Sequence, residues 1–246
     1  MKTVLFGATK GIGRALARQL VERGDTVCLL GRNLTDLNRS ARDLQLRSGI
    51  EQPPSTLLCD LSKPQMFAAA IDSAIVALGG LDTVVVTAAS FQTQEILEKD
   101  PDKARELVTL DLANTIGFCE HARQRLLKAG GGTLCVFSSV AGERGRTPIV
   151  IYGAAKAGLS AYLEGLDHRF HHQGLRTICV KPGFVHTSMT ADLEPPPFSG
   201  KPNPVARRVL RAIDRSQPVV YAPPIWRWVM LVVRHLPRII MRRANF

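Results

Sequence analysis

The chain lacks any run of about 18 consecutive apolar residues, so no membrane-spanning helix is expected. Met1 leads straight into "KTVLFGATKGIG", a strand followed by a glycine loop, with no secretory signal pattern. There is no internal repeat and no long low-complexity tract. Five cysteines (Cys28, Cys59, Cys119, Cys135 and Cys179) make an odd number with no C-x-x-C spacing. Disulfides and a cysteine-bound metal are thereby disfavoured, and buried thiols in a reducing cytoplasm are expected. The six histidines form no metal-like cluster; His171 and His172 lie near a helix end, where a favourable dipole interaction suffices. Acids are scarce at one end only. Residues 201–246 hold ten Lys/Arg against one acid, Asp214, a balance of +9 out of a total of +11. The remaining 22 basic and 20 acidic residues nearly cancel. No aromatic-lined groove or reading-helix motif accompanies the basic residues, so nucleic acid is not an expected partner.

What is present is a β-α alternation. Strands are predicted at Lys2–Phe6, Thr26–Leu30, Ser55–Cys59, Thr83–Thr87, Thr133–Ser138, Arg176–Val180 and Val219–Tyr221. Helical segments are predicted near 11–23, 34–47, 64–78, 103–129 and 153–172. "TVVVT" and "TLCVF" are almost continuously apolar, as strands covered on both faces should be. The pattern predicts an α/β fold, a doubly wound parallel sheet of the Rossmann type in three α/β/α layers, as a single domain of 246 residues. "EPPPFSGKPNP", residues 194–204, reads as a loop because of its proline density.

The first strand is followed by Gly7-x-x-x-Gly11-x-Gly13 and an amphipathic helix. Glycines at such a place let the backbone approach a pyrophosphate at a helix N-terminus, where unpaired N–H groups and the dipole favour anions. The second strand ends "LLGRN", without the acid that usually holds the ribose hydroxyls of NAD. Arg32, with Lys10 inside the glycine loop, could instead clamp a 2′-phosphate. NADP(H) is therefore favoured, with NAD(H) the alternative. Asp60 could accept a hydrogen bond from the adenine amino group or cap the next helix.

"YGAAK" places Tyr152 and Lys156 four residues apart, on one face of a helix. The spacing fits an accidental exposed pair, or a lysine that eases ionisation of a phenol whose ordinary pKa is about 10. Ser139 lies 13 residues before Tyr152 in "VFSSVAG", Asn114 lies further back in "DLANTIGF", and "KPGFVHTSM" follows the sixth strand.

Together, the glycine loop and the Ser139/Tyr152/Lys156 spacing resemble the classical short-chain dehydrogenase/reductase family over residues 1–222. The resemblance implies an enzyme that interconverts a ketone and a secondary alcohol, with reduction the favoured direction. Tyr152 would be the general acid, Lys156 would lower its pKa and hold the nicotinamide ribose, and Ser139 would hydrogen-bond the substrate oxygen. Asn114 would hold a water linking Lys156 to solvent. The cofactor contacts carried over are Gly7, Thr9, Lys10, Gly11, Ile12, Gly13, Arg32, Asn33, Asp60, Leu61, Ala88, Pro182, Gly183, Val185 and Thr187, besides Tyr152 and Lys156. His186 is placed near the nicotinamide, within reach of substrate. A homo-oligomer, dimer or tetramer, is also implied. Two departures stand out: Phe6 where the family has threonine, and Val86-Thr87-Ala88-Ala89 where it has Asn-Asn-Ala-Gly. The missing asparagine side chains normally tie the central strands together. A non-catalytic dinucleotide sensor, or a scaffold anchored by the tail, is the alternative function.

Residues 223–246 form a basic amphipathic tail. At 100° per residue, Arg227, Arg234, Arg238 and Arg242 gather on one face, and Trp226, Val229, Met230, Val233, Leu236 and Ile240 on the other, with Pro237 dividing the helix. Two readings are open: a helix lying on an anionic membrane through residues 224–243, or one docked on protein. The tail also resembles that of reductases acting on polyprenyl-phosphate-linked sugars, which implies an amphiphilic or lipid-linked substrate.

Overall fold

The structure is a computed structural model and describes residues 1–243. Seven parallel strands form one sheet in the order β3-β2-β1-β4-β5-β6-β7. These are β1 Lys2–Phe6, β2 Thr26–Gly31, β3 Ser55–Leu58, β4 Thr83–Val86, β5 Gly132–Phe137, β6 Leu175–Pro182 and β7 Val219–Ala222. The order reverses at β1 and β4, whose register pairs Val4 with Val84 and Phe6 with Val86. In such sheets the crevice beyond the carboxyl ends of the strands at this reversal is where ligands bind.

Each central strand feeds two cores, because successive side chains point to opposite faces. Leu5, Leu29 and Val85 face one way, onto α1 (Gly11–Glu22), α2 (Leu34–Ser48) and α8 (Pro202–Asp214) through Leu16, Leu37 and Val209. Val4, Phe6 and Val84 face the other way, onto α3 (Phe67–Leu78), α6 (Thr115–Lys128) and α7 (Val150–Phe170). Phe118 of α6 fills the middle of that layer, 4.7 Å from the Phe6 ring and 5.5 Å from Phe67. All four residues of β4, Thr-Val-Val-Val, are buried, so their branched side chains meet packing on both faces. The three-layer α/β/α architecture is the one expected.

Two segments differ from expectation. The predicted helix over 103–129 is interrupted: α4 (Gln94–Lys99) and α5 (Pro101–Val108) precede a π-helical turn at Thr109–Asn114, and only then does α6 begin. Pro101 starts α5 because its missing N–H costs nothing at a first turn, and the Asp100 side chain caps the Lys103 N–H. The proline-rich stretch is a loop only as far as Lys201. Pro202 opens α8, whose Val205, Ala206, Val209 and Ile213 are buried. The tail divides at Pro237, as expected, into α9 (Trp226–His235) and α10 (Arg238–Met241). Residues 244–246 of the tail lie outside the described residues. Among the described residues, no helix is long and apolar enough to cross a membrane. All five cysteines are buried and free.

Candidate active site

The glycine loop joins β1 to α1 by a close approach. A side chain at Gly13 would collide with the Gly7 carbonyl oxygen, so only glycine lets the helix start there. The loop is held from β4. The Thr87 hydroxyl donates to the carbonyl oxygens of Phe6 (3.1 Å) and Gly7 (3.0 Å). One hydroxyl thus ties the two central strand ends where the expected asparagines are missing. The N-cap position of α1, Lys10, makes no side-chain capping bond, which leaves the first N–H groups of the helix open to an anion.

A cavity of about 1100 Å³ opens above these strand ends. Gly7, Thr9, Lys10, Gly11, Ile12 and Gly13 line it from the loop; Arg32, Asp60, Leu61 and Ala88 line it from the ends of β2, β3 and β4. Ser139, Tyr152 and Lys156 form its floor, and Pro182, Gly183, Val185 and Thr187 its wall after β6. Lys10 and Arg32 are exposed and form no ion pair among the described residues. Asp60 accepts from the N–H and hydroxyl of Ser62, both at 2.9 Å, in a tight turn rather than as a helix cap. These free cations, the uncapped helix start and the size of the cavity fit a dinucleotide.

Two expected residues stand elsewhere. Asn33 does not line the cavity; its side chain accepts from the Asp36 N–H at 3.0 Å and caps α2. Competition from the backbone of the helix that follows takes its amide oxygen. Asn114 also lies off the cavity lining, and its amide donates to the Leu61 carbonyl at 2.9 Å. The residue that meets Lys156 is Asp111, one turn earlier, with its carboxylate 3.0 Å from the Lys156 Nζ. Both side chains are essentially inaccessible, at 2% and 0% exposed. His186 is exposed, bonds the Ser199 hydroxyl at 3.0 Å and does not line the cavity.

Asp111 escaped the sequence reading, although a signal was there. Leu107, Asp111 and Thr115 follow one another at four-residue spacing, and all are buried. A carboxylate on a buried stripe requires a partner. The π-helical turn carries it, and its second oxygen accepts the Ser90 N–H at 2.6 Å. Lys156 also reaches toward the Phe137 carbonyl at 3.5 Å.

Around Tyr152 the charges compete. Burial raises the phenol pKa above its ordinary value, and the Asp111 anion raises it further, while the Lys156 ammonium and Ser139 pull it down. The outcome is upward, contrary to the expectation that the lysine dominates. Burial is the largest single influence on Lys156 and works against its charge, but Asp111, by charge and hydrogen bond, together with Tyr152 shifts the balance upward, so the ammonium stays protonated. The ammonium lies 5.5 Å from the Tyr152 ring centroid, and Phe91 packs edge-on against that ring at 5.2 Å. Ser139 accepts the Ala141 N–H at 3.1 Å and reaches the Pro182 carbonyl at 3.5 Å, a long bond its hydroxyl can exchange for one to a ligand oxygen.

The tail supplies the remaining wall. Trp226 lines the cavity, donates its indole N–H to the Phe198 carbonyl at 3.2 Å, and lies so close over Gly183 that any side chain there would strike it. Trp226, Met230 and Val233 are buried against Val140, with Tyr221 and Val229 beside them. The apolar face considered for a membrane therefore packs on the protein itself along Trp226, Met230 and Val233, while Ile240 stays exposed. The sequence showed the face but not what covers it.

Comparison with known proteins agrees with this geometry. The sequence profile of the short chain dehydrogenase family matches residues 2–197. An uncharacterized oxidoreductase of Mycobacterium tuberculosis is 33% identical over 240 residues, spanning 98% of this chain and 95% of that protein. Carbonyl reductase family member 4 of Xenopus tropicalis is 28% identical over 218 residues, spanning 85% and 89%. A short-chain dehydrogenase from Sphingobium yanoikuyae, solved in complex with NADPH, superposes with a TM-score of 0.80 at 22% identity, covering 94% of this chain and 91% of that one. With a doubly wound sheet, a glycine loop and a Ser-Tyr-Lys floor in one cavity, the chain belongs to the short-chain dehydrogenase/reductase family of oxidoreductases.

Proposed function

We propose that this protein reduces a ketone to a secondary alcohol with NADPH, and that the ketone is amphiphilic. The observation that carries the reading is the floor of the cavity: a half-buried Tyr152 beside a buried Lys156–Asp111 ion pair. Bound along the glycine loop, the dinucleotide supplies a hydride to the carbonyl carbon. Tyr152 delivers its proton to the carbonyl oxygen, so the C=O bond becomes CH–OH. A phenol held above its ordinary pKa keeps that proton at neutral pH, as an acid must. The tyrosinate left behind is stabilised by the Lys156 ammonium until solvent returns a proton. Ser139 turns its hydroxyl to the substrate oxygen as negative charge develops there. Asp111 keeps Lys156 charged in surroundings that would otherwise strip its proton.

The choice of NADPH over NADH is supported by Lys10 and Arg32, and by the NADPH in the solved Sphingobium protein. Reduction of a ketone is supported by the carbonyl reductase among the relatives. An amphiphilic or lipid-linked substrate fits the apolar lining given by Pro148, Ile149, Trp226 and the exposed Met189. With α9 docked, contact with an anionic membrane falls to that outer strip: Trp228, Leu231, Val232 and Ile239 beside the exposed Arg227, Arg238 and Arg242. Pairing of two copies belongs to the same proposal, supported by the family alone and checked by sedimentation.

The test is a panel of 2-ketones of increasing chain length, supplied with NADPH or NADH and followed by nicotinamide absorbance. Turnover with NADPH that rises with chain length is expected. No turnover of any ketone with either cofactor would sink the proposal. Flotation with anionic vesicles should weaken in the full-length Trp228→Asp, Val232→Asp protein; equal flotation removes the membrane part alone.

A further inference from the structure

Arg146 stands in the loop between the turn at Val140–Glu143 and the start of α7, and it lines the same cavity as Tyr152, with Pro148 and Ile149 beside it. Its charged neighbours have protein partners. Arg144 donates to the Leu236 carbonyl at 2.9 Å, and Glu143 takes Lys181 and Arg234. Arg146 has no such partner among the described residues, and its Nε is wholly buried without an acceptor. Three carboxylates, Glu95, Glu106 and Glu194, also line the cavity, yet none forms an ion pair with it. Burial alone acts on the guanidinium, drawing its pKa down from the usual arginine range, with no carboxylate opposing the shift. An arginine remains charged at neutral pH even so.

A charge in this condition is costly. Half-buried, with its Nε enclosed and unpartnered, the guanidinium has given up part of its water and favours a counter-ion or further acceptors. The dinucleotide has its own cations, Lys10 and Arg32, on the glycine-loop side of the cavity. Arg146 instead sits on the loop leading into α7, six residues before Tyr152. A guanidinium presents a planar fork that matches the oxygens of a carboxylate or phosphate.

We propose that the ketone substrate carries an oxyanion, a carboxylate or a phosphate, which Arg146 binds while Tyr152 protonates the carbonyl. This rests on the carbonyl-reductase reading for its chemistry but on Arg146 alone for the anion. Pro148, Ile149 and Trp226 give the same compartment apolar walls, so the substrate combines a charged group with apolar surface.

Matched ketones test it. With NADPH, 4-oxopentanoate is compared with its methyl ester, and hydroxyacetone phosphate with hydroxyacetone. At least one anionic member should exceed its neutral partner in kcat/KM by about tenfold or more, and which pair does so separates carboxylate from phosphate. Arg146→Met should collapse that ratio toward one, and Arg146→Lys should restore part of it. A ratio near one in the wild type, or one unchanged in Arg146→Met, overturns the proposal. A second measurement needs no turnover. Phenyl phosphate should raise the melting temperature of protein saturated with NADPH, which fills the Lys10 and Arg32 end, and Arg146→Met should lose that shift. A shift absent from the wild type, or retained in the variant, overturns the anion site. A shift lost as expected in a protein that turns over no ketone leaves the anion site standing and removes the reductase reading instead.

Discussion

The cations at the two ends of the cavity are held in opposite ways. Lys10 and Arg32 at the glycine-loop end are exposed and have no protein partner among the described residues. Lys156, at the floor, is buried and sits 3.0 Å from a buried carboxylate. A charge meant to recognise a ligand is left for the ligand to neutralise. A charge meant to act on a neighbouring side chain has to be neutralised by the protein itself, or burial would remove it. Arg146 stands between the two, half-buried with an enclosed Nε and unpartnered like Arg32, and that combination singles it out.

The largest effect should come from breaking the pair at the floor. Asp111→Ala strands a buried ammonium, and losing one member of a buried pair costs about 3–5 kcal/mol, read from denaturant unfolding. The sign of the pH dependence follows from the raised pKa of Lys156. Its stabilising contribution is full below the free-lysine value of about 10.4 and is lost as pH rises through the higher folded value. The wild type should therefore lose stability on the alkaline side through this group. Activity should follow the phenol: reduction, which needs its acid form, holds through neutral pH and declines only as pH passes the raised Tyr152 value, while alcohol oxidation rises there.

A smaller effect is expected at the open end. Replacing Lys10 or Arg32 with methionine should lower the NADPH-to-NADH preference about tenfold or more, since hydrogen bonds to charged groups contribute about 1.5–3 kcal/mol. Stability should hardly change, because neither cation supports the fold; a matching fall in unfolding free energy would undo the contrast. The smallest effect belongs to an ordinary surface pair. Arg18 and Glu22 lie 2.7 Å apart at 44% and 43% exposure. Glu22→Ala should cost no more than about 1 kcal/mol.

What could be read from the sequence divides along similar lines. β1, the glycine loop and the Tyr152–Lys156 spacing are local patterns, carried by strand alternation, glycine geometry and helical periodicity. They stand where the sequence placed them. Helix α8 was hidden because five prolines, at 195–197, 202 and 204, bias the stretch toward loop, whereas the structure uses Pro202 as a helix start. Asn33 was misplaced because a neighbouring helix claims its side chain. The roles of Asp111 and Arg146 were hidden for a different reason, although helical spacing put Asp111 on one stripe with Leu107 and Thr115. One matters through a partner 45 residues away, and the other through having none, and both are properties of the assembled fold rather than of any window of sequence.

The central claim is that the Tyr152 hydroxyl is the proton donor, and that its contact with the cofactor contributes little to cofactor affinity. The direct measurement is single-turnover reduction by Tyr152→Phe, alongside its NADPH affinity from fluorescence titration. The account predicts a fall in rate of about 10²–10⁴-fold with cofactor affinity little changed. A variant that reduces the ketone at the wild-type rate, or whose loss is explained by failure to bind NADPH, would contradict it.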